Sequence, residues 1–245
     1  MHLDLGNGVH WIGEYSKIGA GKYMPTAVYL LETDAGDILI DTGSHTHREP
    51  IRNAIEDVTG GDGVDAIIIS HPDLPHSGNV HYFIEEWNNP KIVTSVATPP
   101  VVGLPERTRA TIGKRTTVLG RALTFVDPPL ADIVFSTWPY DHETGVLFSI
   151  DGFGGYTTSD ERISVIETEA DLPSVDDIRA YHDETFRWLE YVDPAKFRGA
   201  LARPFSEFDV SYVAPTHGAP IAAEVVDEYL DRLTKAVESI VPVDA

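Results

Sequence analysis

Residues 65–78 read DAIIISHPDLPHSG. Asp65 to Ser70, with Ala-Ile-Ile-Ile inside, form a short, continuous apolar run, the pattern of a strand buried on both faces. Immediately after it come His71, Asp73 and His76, three polar side chains within six residues. A loop at the end of a buried strand is a rigid mount, because the strand fixes the anchor while the loop turns its side chains inward. Pro72 and Pro75 restrict that loop and lower the entropy cost of holding its side chains in place. Two imidazoles and a carboxylate suit an ion of borderline hardness such as Fe, Mn or Zn. Taken alone, the segment fits a polar turn that happens to contain two histidines equally well.

Working outward, Val9 to Glu14, Thr26 to Glu32 and Ile38 to Ile40 read as strands, the last pair joined at the turn Asp34-Ala35-Gly36-Asp37. A helix is expected from about Arg48 to Val58, another from Asn79 to Trp87, and a strand from Lys91 to Ser95. The middle reads as strands at Arg115 to Val118, Leu123 to Val126, Asp132 to Ser136 and Val146 to Ile150. Helices follow at Ser174 to Tyr191 and Pro194 to Phe205, then a strand at Val210 to Ala214. In the final helix Val226, Tyr229, Leu230, Leu233, Val237 and Ile240 recur at three- and four-residue spacing. This layout predicts an α/β protein of layered α+β type, with two mixed β-sheets covered by helices. It lacks the regular βα alternation of a doubly wound sheet. Residues 1–245 read as a single domain, with no repeat and no linker.

Two further strand ends carry the same chemistry. Val146 to Ile150 runs into Asp151-Gly152-Phe153-Gly154, and Val213-Ala214-Pro215 into Thr216-His217-Gly218. A turn-forming Asp151 and a structural His217 are the bland readings of each alone. Three strand ends each delivering His or Asp favour a common site.

Composition narrows the field. The chain has 39 acidic against 18 basic side chains, a formal net charge of −21, and only 6 lysines. That balance argues against nucleic acid and anionic membrane surfaces as partners. A folded, lysine-poor acidic chain also suits a halophile, in which salt screens self-repulsion; an acidic mesophilic protein fits too. The chain has no cysteine, which excludes disulfides, iron–sulfur centres, thiolate zinc sites and thiol nucleophiles. With no signal-like N-terminus and no apolar run of ~18 residues, a cytoplasmic location is expected.

Several segments together resemble the metallo-β-lactamase superfamily, and within it the diiron domain of flavodiiron proteins. TAVYLLETDAGDILID (26–41) is similar to the family's opening strand pair, and Ser70–Gly78 falls where the superfamily carries its His-x-His-x-Asp-His loop. Trp138-Pro139 followed by GVLFSIDGFG (145–154) and the late APTHG (214–218) point to the flavodiiron branch. The resemblance implies an αββα metallo-β-lactamase sandwich with two metal ions at one edge of the sheets. On its positions His71, Asp73, His76, Asp151 and His217 are the metal ligands, with Asp151 bridging. Asp73 stands where flavodiiron proteins use Glu. Pro75 replaces a ligating Asp and Thr137 a ligating His. His142 either folds back to replace that imidazole or is an exposed loop histidine. Asp41 is expected to orient the metal loop rather than bind metal, His45 and His47 to be solvent-exposed, and His10, His81 and His182 carry no signal.

The function so implied is a non-haem di-metal protein, Fe favoured over Zn or Mn, that binds or reduces O2 or NO. No FMN is expected on this chain, whose length fits the metal domain alone. Electrons would come from a separate flavoprotein or rubredoxin, and kinship suggests a homodimer. The alternative is a hydrolase of an ester, lactone, thioester or phosphodiester using a metal-bound hydroxide. A scaffold that has lost its metals is the third reading.

Overall fold

The computed structural model describes residues 1–19, 21–98, 104, 106–158 and 163–242. Strand β5 (Ala66–Ile69) has all four residues buried, and its alternate side chains face different layers. Ala66 and Ile68 pack in a core cluster between the sheets, whereas Ile67 and Ile69 pack beneath helices with Ile51, Ile55 and Phe83. The same alternation holds for β4 (Ile38–Ile40), where Ile38 and Ile40 face one layer and Leu39 the other. A sheet with two buried faces must be covered twice, which makes the layered sandwich the stable solution.

The first sheet has seven strands in sequential order: β1 (His2–Gly6), β2 (Val9–Gly19), β3 (Lys22–Leu31), β4, β5, β6 (Lys91–Ser95) and β7 (Arg107–Ala110). Strands β1 to β4 pair antiparallel and β4 to β7 parallel, so the sheet is mixed. Helices α1 (Arg48–Thr59), α2 (Leu74–Ser77) and α3 (Val80–Glu86) lie in its connections. The second sheet comprises β8 (Arg115–Val118), β9 (Arg121–Val126), β10 (Trp138–Asp141), β11 (Val146–Ile150), β12 (Tyr212–Pro215) and β13 (Ile221–Ala222), in the order β13-β12-β11-β10-β9-β8. It too is mixed, β11 and β12 being its parallel pair. Ile178 of α4 (Val175–Thr185), Leu201 of α5 (Pro194–Glu207) and Tyr229 and Leu233 of α6 (Val226–Ile240) belong to the same core cluster as this sheet.

The two mixed sheets and their covering helices match the expected fold class. Two local readings are corrected. Residues 132–136 form no strand: the segment is a turn, with Val134 and Phe135 exposed. The strand lies just beyond, at β10. The helix expected to run to Tyr191 ends at Thr185, where Phe186 leaves the helical region and a short 3-10 turn, Arg187–Tyr191, follows. Among the described residues no helix is long and apolar enough to cross a membrane.

Tyr29 of the first sheet donates its hydroxyl to the Pro215 carbonyl of the second at 2.7 Å, and its ring meets Phe148 edge-on. Buried Arg121 on β9 forks onto Asp141 at 3.1 and 2.7 Å and reaches the Glu32 carbonyl after β3 at 3.1 Å. The sheets are thus tied by directional contacts as well as by apolar packing. Strand ends β4, β5, β11 and β12 and the start of β10 come together at one edge, and there the polar cluster sits.

Candidate metal centre

Strands β4, β5, β11 and β12 each release a functional side chain at the carboxyl end. After β4 the chain turns at Asp41, which adopts φ +61° and is buried. After β5 come Ser70 and His71, both fully buried. At the end of β11, Ile150 takes φ +56°, an unusual conformation for a β-branched residue, and so re-aims the chain to present Asp151. After β12 comes His217, whose neighbour Thr216 donates its backbone N–H to the Ile150 carbonyl at 2.7 Å. His76 arrives from α2, the single turn that follows the Asp73 N-cap. Gly78 lets this turn abut the 41–44 segment: a Cβ there would stand 2.5 Å from Leu74 O and 2.9 Å from Gly43 O.

Asp151 is the centre of the cluster. Its Oδ1 lies 3.3 Å from His76 Nε2 and 3.3 Å from His217 Nε2, and its Oδ2 lies 3.4 Å from His71 Nε2. The three imidazoles are held by their other nitrogens. His217 Nδ1 is 2.8 Å from the Pro25 carbonyl, which can only accept, so Nδ1 carries the proton. His76 Nδ1 likewise donates to Asp41 Oδ2 at 2.7 Å. Ser70 donates its hydroxyl hydrogen to Asp41 Oδ2 at 2.8 Å, so the 3.2 Å contact between Ser70 Oγ and His71 Nδ1 has the imidazole as donor. Asp41 Oδ1 also accepts the Ser70 backbone N–H at 2.8 Å. With the proton on Nδ1, each ring turns Nε2 toward the Asp151 carboxylate.

Lone pairs facing a buried carboxylate repel unless positive charge lies among them. Burial opposes a charge on His76, yet the Asp151 and Asp41 carboxylates outweigh it and hold its imidazole well above the ordinary value. Burial likewise opposes ionised Asp151, but His76, the His217 bond and His71 hold its carboxyl well below the usual range. His71, buried and beside His76, is pushed down and favours the neutral form. One proton on His76 therefore occupies the place of a cation. His71 Nε2 and Asp151 Oδ2 are buried without a hydrogen-bond partner among the described residues. Two donors each ~2.1 Å from one tetrahedral ion lie ~3.4 Å apart, and the cluster's spacing matches this. The residues present fit metal ions.

Of the residues expected at the site, His71, His76, Asp151 and His217 come together. Asp73 is exposed at the rim, and the donor atoms of His71, Asp73 and Asp132 lie within 4.8 Å of one another. Asp41 orients the loop as expected. His142 does not join: it follows β10, whose four residues carry the chain ~16 Å from Thr137 at ~3.3 Å per residue. There its Nε2 meets Thr124 Oγ1 at 2.8 Å and its ring lies against Tyr140 and Phe208. Thr137 is buried and donates its hydroxyl to the Ser70 carbonyl at 3.2 Å. His45 is exposed as expected, but His47 is buried, with Nε2 3.1 Å from Ser16 Oγ. Asp132 was not foreseen. Its Oδ2 stands 3.5 Å from His71 Nε2.

Residues 22–217 match the family model of the metallo-β-lactamase superfamily, and the chain belongs to that superfamily. Within it the chain resembles the diiron domain of flavodiiron proteins. It is 23% identical over 267 residues to the anaerobic nitric oxide reductase flavorubredoxin of Vibrio vulnificus, covering 98% of this chain and 53% of that protein. An uncharacterised protein of Methanocaldococcus jannaschii is 23% identical over 95% of this chain and 60% of its own length. The chain thus spans roughly half of these curated relatives. The flavodiiron protein of Giardia intestinalis superposes with a TM-score of 0.76 at 16% identity, over 98% of this chain and 60% of that one. A metallo-beta-lactamase from Pontibacter korlensis superposes with a TM-score of 0.64 at 16% identity, over 96% and 98% of the two chains. At such identities the likeness establishes the fold.

Proposed function

We propose that this chain is a flavodiiron-like protein whose cluster holds a pair of metal ions, iron foremost, and that it binds or reduces O2 or NO. The observation that carries the reading is the convergence of three imidazole Nε2 atoms on the buried Asp151 carboxylate, with His71 Nε2 and Asp151 Oδ2 lacking a hydrogen-bond partner among the described residues. Kinship with flavodiiron proteins directs that centre toward diatomic gases. When bound, redox-active ions supply open coordination positions and exchangeable electrons to such a ligand.

The chain's own residues provide the rest. His71, His76, His217, Asp151 and Asp73 hold the ions, and Asp41 with Ser70 and the Pro25 carbonyl fixes the ring tautomers. Two residues past Asp151, Phe153 is buried and meets buried Trp138 edge-on. Exposed Asp73 marks the open side through which a small ligand enters. Electrons come from a separate flavoprotein or rubredoxin-type donor.

A second reading, a metal-dependent hydrolase, is favoured by the whole-chain superposition on the Pontibacter protein. The two separate in one comparison. Iron-loaded protein, reduced with dithionite under argon, is mixed with O2 or NO, and zinc-loaded protein is offered ester and phosphodiester substrates. Gas consumption above that of a His217→Ala variant supports the redox reading. No consumption, together with hydrolysis by the zinc form, overturns it in favour of the hydrolase.

A further inference from the structure

The family pattern leaves this chain short of donors, since Pro75 and Thr137 stand where an Asp and a His are expected. The connection between β9 and β10 brings another carboxylate, Asp132, to the cluster. Asp132 is largely buried, and Ser136 donates its hydroxyl to Asp132 Oδ1 at 2.6 Å. The other oxygen is left facing His71 Nε2 at 3.5 Å. That nitrogen is fully buried, has no hydrogen-bond partner among the described residues and, by the tautomer argument, presents a lone pair. A carboxylate and a lone pair aimed at one another without a proton between them mark a cation position. The loop is anchored as a ligand loop must be: Trp188 Nε1 donates to the carbonyl of Ala131, the residue before Asp132, at 2.8 Å.

We propose that Asp132 is a metal ligand, and that the two ions sit in unlike halves. The outer half is built from His71, Asp73, Asp132 and Asp151 Oδ2, one nitrogen with three carboxylates. The inner half is built from His76, His217 and Asp151 Oδ1, richer in nitrogen. Oxygen donors favour harder ions, so the outer half selects Mn(II) or Fe(II), and its rim position makes it the more readily exchanged. The inference rests on the two-ion reading above and deepens it.

The test uses Mn(II) as probe, in equilibrium dialysis of metal-free protein, with circular dichroism confirming that each variant is folded. Asp132→Asn keeps the size of the side chain and its contact with Ser136. Wild type is expected to bind two ions. Asp132→Asn is expected to retain the inner one and to bind the outer at least tenfold more weakly, since even outer-sphere partners are worth 10–100-fold. His217→Ala is expected to lose the inner ion and keep the outer. The low-temperature paramagnetic resonance spectrum should pass from that of a coupled pair in wild type to that of isolated Mn(II) in Asp132→Asn. Two ions bound by Asp132→Asn with wild-type affinity overturn the role of Asp132 and leave the two-ion reading standing. No ion bound by wild type overturns that reading and this inference with it.

Discussion

At the scale of single residues, tautomer control governs the site. Asp41 takes three hydrogen bonds, from Ser70 N, Ser70 Oγ and His76 Nδ1, and through the last two sets the lone pairs of His71 and His76. Replacing it by asparagine swaps one acceptor for a donor. An amide turned toward His76 Nδ1 drives the ring proton to Nε2, pointing it at Asp151. Asp41→Asn is therefore expected to weaken metal binding by ~10–100-fold, measured by competition with a chelator of known affinity. Unchanged affinity would mean that the tautomers are held by something else. Asp41 was legible in sequence because it closes a strand before Thr-Gly, whereas Asp132 was not. DIVFS (132–136) has the β-branched, aromatic content of a strand, but Ser136 closes it into a turn through its N–H on the Ile133 carbonyl and its hydroxyl on Asp132.

At the scale of elements, strand ends carried most of what the sequence disclosed. His71, Asp151 and His217 each follow a buried strand, and that pattern survives without any tertiary information. The placement of His142 does not, because it depends on β10 running away from the cluster, which pairing with β9 and β11 decides. Helix α4 buries a histidine for which the sequence carried no signal. His182 Nδ1 donates to the Ile178 carbonyl one turn back at 2.7 Å, Nε2 has no partner among the described residues, and burial pushes its pKa down to about 4. The unfolded chain takes up this proton near pH ~6.5 and the folded one only near 4. The stabilisation is therefore complete above the unfolded value and lost as pH falls between the two, by an amount on the order of 3 kcal/mol. Chemical denaturation from pH 7.5 to 4.5 should give a shallower slope for His182→Gln than for wild type, with metal content unchanged. Parallel slopes would remove His182 from the acid response.

At the scale of the whole molecule, two features act across the sandwich. The Arg121–Asp141 pair is buried, and Arg121 also donates to the carbonyl of Glu32, just after β3 of the other sheet. Arg121→Met leaves an uncompensated buried carboxylate, and a loss of ~3–5 kcal/mol in urea denaturation is expected. A loss below ~1 kcal/mol would place the tie between the sheets in apolar packing alone. The net charge of −21 is the other feature, and few of the 39 acids enter the cluster. Self-repulsion should be relieved by screening. Melting temperature should rise between 0.1 and 2 M NaCl by at least ~2–4 °C, the shift that ~1 kcal/mol makes in a domain of this size. A flat or falling curve would contradict the salt-adapted reading of the composition.

The central claim, that the strand ends β5, β11 and β12 converge on a two-ion centre bridged by Asp151, is tested most directly by elemental analysis. Protein reconstituted anaerobically with Fe(II) and freed of excess metal is measured by mass spectrometry beside Asp151→Ala. The account predicts two ions per wild-type chain and close to none in the variant. Equal metal content in the two, or none in either, would contradict it.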